Sequence, residues 1–263
     1  MLLPPLVRKT SRDDRRAVIG WTAGVAAFTT IYTGFYSQFQ GAAELKQNAL
    51  PQGMLDFLGI ADMLSPAGYL QATVFSLIGP LLVLMCAVTL SARTIARPEE
   101  DGGMELLLAN PLSRKAFATQ RLTAAAVAVT VVAAMPWILL SILVPAIAMD
   151  VPLSNVAAAC VGLIALAWCF TGIAFLVGAV SGKRGNVLAI TGVLAVATYM
   201  ANALSNMSEG LGWLKWLSPF YYFIGTDPLH TGWHPGHLLL LAGIGVATAI
   251  AGIILFDRRD VGV

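Results

Sequence analysis

Six long stretches of this chain contain no charged residue, and each is long enough to cross a membrane. They cover residues 17–36, 70–92, 122–149, 154–181, 187–207 and 236–256. About 20 consecutive apolar residues form a helix that spans the hydrocarbon core of a bilayer. A helix also satisfies its own backbone hydrogen bonds, which lipid cannot do. The sequence therefore predicts an all-α membrane protein: a single transmembrane domain over residues 1–263 with six transmembrane helices.

The overall composition favours the same class. Only 11% of the 263 residues are charged, whereas soluble proteins carry roughly 25%. This deficit excludes an ordinary soluble enzyme. A secretory signal peptide is the alternative for the first stretch, but the apolar core of a signal peptide has only about 7–15 residues. We therefore interpret residues 17–36 as a retained span.

Basic residues lie almost entirely on one predicted side of the membrane. Fourteen of the 16 Lys and Arg residues fall in segments 1–16, 93–121, 182–186 and 257–263. The other two are Lys46 and Lys215. Loops rich in Lys and Arg stay in the cytosol. Both termini are therefore predicted to be cytosolic, and residues 37–69 and 208–235 external, with a small helix around residues 54–63. Gly79-Pro80 is predicted to kink the second span near its middle.

Two segments outside the spans are predicted to lie at the membrane surface. Residues 1–16 have a short apolar start followed by basic residues, which favours an interfacial amphipathic helix. Residues 208–235 are dense in aromatic side chains but too interrupted to span. Aromatic rings suit the membrane–water interface, so a re-entrant or interfacial pair of helices is predicted there.

The break between the second and third spans, residues 93–121, has internal order. An acidic run from Glu99 leads to Gly102-Gly103, and residues 104–109 form a strongly helix-favouring run. Asn110-Pro111 is typical of an N-cap followed by proline at the first helical position. A short cytosolic helix is predicted between the two membrane helices, with a new helix starting at Asn110.

The amino-acid pattern of residues 93–121 resembles the first cytoplasmic loop of ABC-2 type exporter permeases. The resemblance rests on Asp101-Gly102, Glu105 and Pro111-x-Ser113-Arg114, and the six-span topology with both ends inside agrees with it. In that family such a loop holds a coupling helix that a soluble ATPase moves. The resemblance implies the following coupling residues: Glu99, Glu100, Asp101, Gly102, Gly103, Met104, Glu105, Leu107, Leu108, Pro111 and Arg114.

The resemblance also implies partners. They are two copies of an ABC ATPase subunit that carry ATP and Mg²⁺, a second identical or similar permease chain, and membrane lipid. The chain itself has no phosphate loop, since Gly182-Lys183-Arg184 lacks the required glycine spacing and hydroxyl. We therefore predict no cofactor on this chain, no catalytic residues and no nucleic-acid partner. The expected location is a bacterial inner (plasma) membrane.

Other chemistries are disfavoured by what the spans contain. No Asp, Glu, Lys or Arg lies inside any predicted span, whereas ion-coupled carriers usually bury such groups. Three histidines, His230, His234 and His237, stand at the external edge of the sixth span. They could bind a metal, but no metal site is predicted, because no acidic or Cys partner is expected to complete the ligand set.

Polar residues at helical spacing mark a candidate substrate pathway. One face of the first span holds Thr22, Thr29 and Thr33, and one face of the fifth holds Thr198 and Asn202. Polar groups on apolar helices face other helices or a cavity, so helix–helix hydrogen bonding is the competing interpretation. The candidate pathway residues are Thr22, Phe28, Thr29, Tyr32, Thr33, Thr198, Tyr199, Asn202 and Asn206.

Small residues predict close helix packing at two places within the subunit. One ladder lies at the end of the fourth span (Ala174, Gly178, Gly182), and the other lies in the sixth (Gly243, Ala247, Ala251).

These features together predict the permease subunit of an ATP-driven ABC exporter. The cargo would be a hydrophobic or amphipathic compound, such as a drug, an antibiotic or a lipid-like molecule, taken from the cytosol or inner leaflet. A self-immunity role for the same pair stays open. The alternative is a non-transporting membrane protein: a sensor, an assembly factor or an intramembrane enzyme.

Overall fold

The computed structural model describes residues 5–40, 65–100, 102, 113–207 and 209–259. Within these residues every regular element is a helix, and six helices are long and apolar enough to cross a membrane, as predicted. The first to sixth long helices are Arg15–Gln38, Pro66–Ala92, Arg114–Ala146, Leu153–Ser181, Arg184–Met207 and Pro235–Arg258. The shorter helices are Pro5–Asp13, Ala96–Glu100, Glu209–Leu217, Pro219–Ile224 and Pro228–Thr231.

The second and fourth long helices form the centre of the fold. In the most apolar part of each of these two helices, most residues are buried. In the corresponding part of the first and sixth helices, only 17% of the residues are buried. The outer helices expose large apolar side chains, including Val193 at 70% and Leu239 at 72%. An apolar surface of this kind is what a lipid-facing helix requires, because lipid tails are as apolar as the side chains themselves.

Glycines bring the fourth and sixth helices into close contact. A Cβ atom added at Gly245 would lie 2.7 Å from the backbone oxygen of Trp168, and one at Gly252 would lie 2.8 Å from the Phe175 ring. The predicted ladder at Gly243 is wrong as a packing face, because Gly243 has open space around it. Gly245, two residues after Gly243, faces the fourth helix instead.

The second long helix is broken near its middle. Residues Gln71–Phe75 form a π-helix, and the α-helix resumes at Ile78 after Leu77, whose φ is −134° and ψ is −64°. The break lies directly before Gly79-Pro80, where the sequence predicts a kink. Proline removes a backbone donor and its ring crowds the carbonyl of the fourth preceding residue, which is Ser76.

The third long helix starts later than the sequence predicts. Ser113, not Asn110, is its N-cap: the Ser113 hydroxyl accepts a hydrogen bond from the backbone N–H of Ala116 at 3.2 Å. The helix also extends further than the uncharged stretch, since Arg114, Lys115 and Arg121 all belong to it. Polar residues continue a helix beyond the apolar span wherever a cap satisfies the exposed amides.

The segment before the sixth helix folds into three short helices that pack against the bundle. Ser218 fixes its position, because its hydroxyl donates to the Thr198 carbonyl at 2.7 Å and accepts from the Phe220 N–H at 3.2 Å. Asn155 holds the last of these helices by donating to the carbonyls of Leu229 and His230. The predicted external helix near residues 54–63 lies outside the described residues.

Candidate coupling network and transport groove

The segment that leaves the second long helix is bound to the ends of the fourth and sixth. The carboxylate of Glu99 forms an ion pair with the guanidinium of Arg259, with an Nη1–Oε2 distance of 3.3 Å for the second contact. Arg259 also donates to the backbone carbonyl of Ala179 at 3.1 Å. One carboxylate therefore connects the start of the predicted coupling loop to two membrane helices.

Glu100 binds the start of the fifth long helix. Its Oε1 accepts a hydrogen bond from the backbone N–H of Arg184 at 2.9 Å, and Arg184 is the first residue of that helix. The first amides of a helix have no partner within the helix, and the helix dipole is positive at that end. A carboxylate placed here satisfies both requirements.

The start of the third long helix is tied to the end of the sixth. The Arg114 guanidinium donates to the backbone carbonyl of Arg259 at 2.8 Å. Beside it, the Lys115 ammonium lies 3.3 Å from a carboxylate oxygen of Asp257. We call the set formed by Glu99, Glu100, Arg114 and Arg259 the cytosolic network, after the side of the membrane on which the sequence predicts it.

The cytosolic network changes the interpretation of two predicted coupling residues. The sequence predicts that Glu99 and Glu100 pair with basic residues of an ATPase, but the structure holds both carboxylates on partners within the chain. Gly102 is exposed and adopts a positive φ of 67°. Arg114 is likewise bound within the chain, to the Arg259 carbonyl. The remaining predicted coupling residues lie outside the described residues: Asp101, Gly103, Met104, Glu105, Leu107, Leu108 and Pro111.

Sequence reasoning missed the partners of these carboxylates. The turn at residues 182–186 and the Arg258-Arg259 pair carry no predicted contact with the acidic run at Glu99 and Glu100. The acidic run opposite two basic clusters on the same predicted side was the available signal. Nothing local in the sequence indicates which acidic residue pairs with which cluster.

In the first long helix, the predicted pathway threonines point into the chain rather than into an open channel. Thr29 and Thr33 are fully buried, and the hydroxyls of Thr22, Thr29 and Thr33 have no hydrogen-bond partner among the described residues. This helix packs against the second and third long helices. The two predicted pathway aromatics of this helix are more open: Tyr32 is 38% exposed and packs at a tilt against Phe28 with ring centroids 4.6 Å apart.

In the fifth long helix, the predicted pathway residues divide between two environments. Asn202 is buried, with no partner for its side-chain oxygen among the described residues, while Asn206 is exposed. The Thr198 hydroxyl donates to its own helix at the Leu194 carbonyl, 2.8 Å away. Tyr199 packs edge-on against Phe220 at 5.3 Å. This helix packs against the second and fourth long helices, so the second helix separates the two predicted polar stripes.

A groove lies between the second and fifth long helices. Its volume is about 500 Å³, and its walls are almost wholly apolar. Of the predicted pathway residues, Tyr199 lines it. The second-helix wall was not predicted. The lining residues are Leu77, Leu81, Leu84, Met85, Val88, Thr89, Leu188, Gly192, Ala195, Val196, Tyr199, Met200 and Phe220.

The groove has the size and lining of a site for a small apolar molecule. Ligand pockets in proteins are typically about 300–1,000 Å³ and mainly hydrophobic. Two methionines, Met85 and Met200, give it side chains that adapt to ligands of different shape. The polar atoms in the lining side chains are the hydroxyls of Thr89 and Tyr199.

The three histidines lie at the start of the sixth helix and just before it. His230 binds Asp227, with Nδ1 and Oδ2 2.7 Å apart, and His234 lies 2.8 Å from the Thr231 hydroxyl. Asp227 is thus an acidic partner that sequence reasoning overlooked. Over the described part of the chain, no cluster of three or more His, Cys, Asp or Glu residues could hold a metal ion.

Comparison with known families gives one match that covers most of the chain. The family model described as "Multidrug efflux system permease Rv1217c, C-terminal domain" matches residues 10–257. Comparison with curated proteins finds no match. The family match covers all six long helices except the last residue of the sixth, Arg258.

Proposed function

Because the chain belongs to the family of the multidrug efflux system permease C-terminal domain, we propose that it is the permease subunit of an ATP-driven, ABC-2 type exporter. Two permease chains, identical or similar, would form the pathway, and two ABC ATPase subunits carrying ATP and Mg²⁺ would bind the cytosolic side. The cargo would be a hydrophobic or amphipathic small molecule from the cytosol or the inner leaflet of a bacterial plasma membrane.

The groove between the second and fifth helices is the observation that carries the cargo class. Its walls offer apolar contacts and two hydroxyls, Thr89 and Tyr199, and no charged side chain. A charged or strongly polar solute would lose its hydration there without gaining partners. A hydrophobic compound already dissolved in the bilayer reaches the groove without that cost.

The cytosolic network supports the proposed route of coupling. A motion of the loop after Glu99 and Glu100 would act directly on the ends of the fourth, fifth and sixth helices through the Arg259 and Arg184 contacts. Glu105 and the apolar residues of the loop would then be the contact surface for the ATPase, while Glu99 and Glu100 transmit the motion.

The test is co-purification followed by charge reversal. The chain is isolated from its native membrane in mild detergent, and mass spectrometry identifies what accompanies it. A stoichiometric soluble subunit with a phosphate loop is the expected result. A chain that purifies alone in several detergents would favour the sensor, assembly-factor or intramembrane-enzyme alternative.

Glu105→Lys then tests the coupling surface. We expect normal membrane insertion but loss of ATP-dependent export of a hydrophobic dye. Asp150→Lys is the matched control, since Asp150 is exposed and stands on the opposite predicted side. Unchanged export by Glu105→Lys would overturn the coupling role of this loop.

A further inference from the structure

A second cavity, which shares no lining residue with the groove, lies beside the start of the first long helix. Its volume is about 390 Å³, and it is lined by Asp13, Asp14, Arg93, Arg97, Pro98 and Arg121. We call it the three-arginine pocket. Its formal charge is positive, because three arginines face two aspartates. It lies where the N-terminal short helix, the exit of the second long helix and the start of the third meet.

The position of the pocket along the membrane normal follows from the sequence. Arg93 directly follows the uncharged stretch 70–92, and Arg121 directly precedes the uncharged stretch 122–149. Asp14 stands three residues before the uncharged stretch 17–36. Charged residues that border a span lie at the level of the lipid headgroups. The pocket therefore opens at the headgroup level of the predicted cytosolic leaflet.

The charges in the pocket are not all balanced against each other. Arg93 and Asp14 form an ion pair with an Nη1–Oδ1 distance of 3.0 Å, and both side chains are mostly buried. Arg121 donates from Nη1 to the Thr10 hydroxyl, a neutral acceptor, at 3.0 Å. Its Nε is buried and has no partner among the described residues. A guanidinium has five donors in a planar fork, and Arg121 lines the pocket, so its Nη donors beyond the Thr10 bond can serve an anionic ligand.

We propose that the three-arginine pocket binds the phosphate headgroup of an anionic phospholipid of the cytosolic leaflet. Phosphate oxygens match the guanidinium fork in geometry and charge. Basic pockets between membrane helices on the cytoplasmic side bind such headgroups. A cavity of 390 Å³ corresponds to on the order of a dozen water molecules at roughly 30 Å³ each, which leaves room for a phosphate and its glycerol.

Occupancy would also fasten the N-terminal helix. Thr10 of that helix accepts a hydrogen bond from Arg121 of the third long helix, so a headgroup that fixes the Arg121 guanidinium also fixes the contact between the two helices. Binding of the lipid would therefore raise the stability of the folded protein, which non-specific lipid on its surface would not do. This proposal stands independently of the exported cargo and of the ATPase.

The test uses the full chain, purified in non-ionic detergent and stripped of lipid. Phosphatidylglycerol and phosphatidylcholine with identical acyl chains are titrated separately, and native mass spectrometry counts the bound lipids while thermal unfolding is followed. We expect phosphatidylglycerol to bind and raise the unfolding temperature, and phosphatidylcholine to do neither. Equal effects of the two lipids would overturn the proposal.

Arg121→Gln locates the site. We expect about tenfold weaker phosphatidylglycerol binding, the usual size of one lost charge-assisted contact. Lys183→Gln, an exposed cation on the same predicted side, should bind as the unmodified chain does. If Arg121→Gln does not fold, Arg121→Lys replaces it in the test. Arg121→Lys keeps the charge but not the planar fork of donors, so its affinity for phosphatidylglycerol should be intermediate. Full affinity in both Arg121 variants would refute the assignment.

Inorganic phosphate separates the lipid from a free anion. We expect millimolar phosphate to leave the phosphatidylglycerol effect in place, because the acyl chains anchor the lipid beside the pocket. If free phosphate displaces the lipid and raises the unfolding temperature by itself, the site takes soluble phosphate and the lipid assignment is wrong.

Discussion

Glu99 and Arg259 stand 160 positions apart in the chain, yet their side chains form an ion pair that is largely shielded from solvent. Arg259 simultaneously binds the carbonyl of Ala179. The pair joins the loop after the second long helix to the carboxyl ends of the fourth and sixth. Five of the six long helices meet around it when the contacts of Glu100 with Arg184 and of Arg114 with Arg259 are included.

Glu99→Gln should destabilise the protein by about 1–3 kcal/mol, since it removes a charge-assisted contact and leaves the shielded Arg259 charge without its counter-ion. Thermal unfolding of the detergent-purified chain measures this. Asp150→Asn, at an exposed position, is the control and should have no effect. Adding Arg259→Gln to Glu99→Gln should cost less than the sum of the two single changes. Strict additivity would mean that the ion pair contributes nothing.

Gly182→Ala should lower stability by about 1–2 kcal/mol or more. Gly182 ends the fourth helix with φ at +61°, a conformation that costs an L-residue about 1–2 kcal/mol. In addition, a Cβ atom there would clash with the side chains of Glu99 and Arg259. Gly185→Ala is the matched control three residues away, where a Cβ meets nothing within 4 Å, and it should be neutral. Equal unfolding temperatures for the two variants would contradict this account.

Gly245→Ala should separate the fourth and sixth helices and cost about 1–3 kcal/mol, as is usual for overpacking a tight contact. Gly243→Ala adds the same methyl group two residues earlier, into open space, and should leave stability unchanged. Unfolding of both variants in detergent gives the comparison. If Gly243→Ala is the more damaging of the two, the predicted ladder at Gly243 packs after all, in an assembly larger than one chain.

Gly192→Phe should block export by filling the groove, since Gly192 lines it and a Cβ there meets no atom within 4 Å. Accumulation of a fluorescent hydrophobic dye in cells reports the loss. Val193→Phe is the control, because Val193 is 70% exposed and does not line the groove. Membrane levels of both variants should match the unmodified chain. Full export by Gly192→Phe would place the cargo path elsewhere.

The number and order of the long helices could be predicted from sequence because lipid imposes one strong rule on the backbone. An uncharged stretch of sufficient length has few alternatives to a helix. The ends were harder to predict. The third helix begins after its Ser113 cap rather than at Asn110, because Asn and Ser side chains can both cap a helix and the sequence offers both.

Contacts between helices could not be predicted in the same way. Gly243 and Gly245 stand two residues apart in one helix, and only the position of the fourth helix decides which of them is packed. Glu99 has basic residues in three separate segments within reach on the predicted topology, and its choice of Arg259 depends on how the helix ends are arranged. The groove likewise exists only because the second and fifth helices lie side by side.

The break in the second long helix has a consequence for the groove. Leu77, where the α-helical hydrogen bonding is interrupted, is also one of the groove-lining residues. The wall that the second helix contributes therefore begins at this joint, and its other residues, from Leu81 to Thr89, belong to the continuous α-helix Ile78–Ala92. No described residue of this helix before Leu77 lines the groove. A change of angle at Leu77 would therefore leave the wall of the site as one rigid piece.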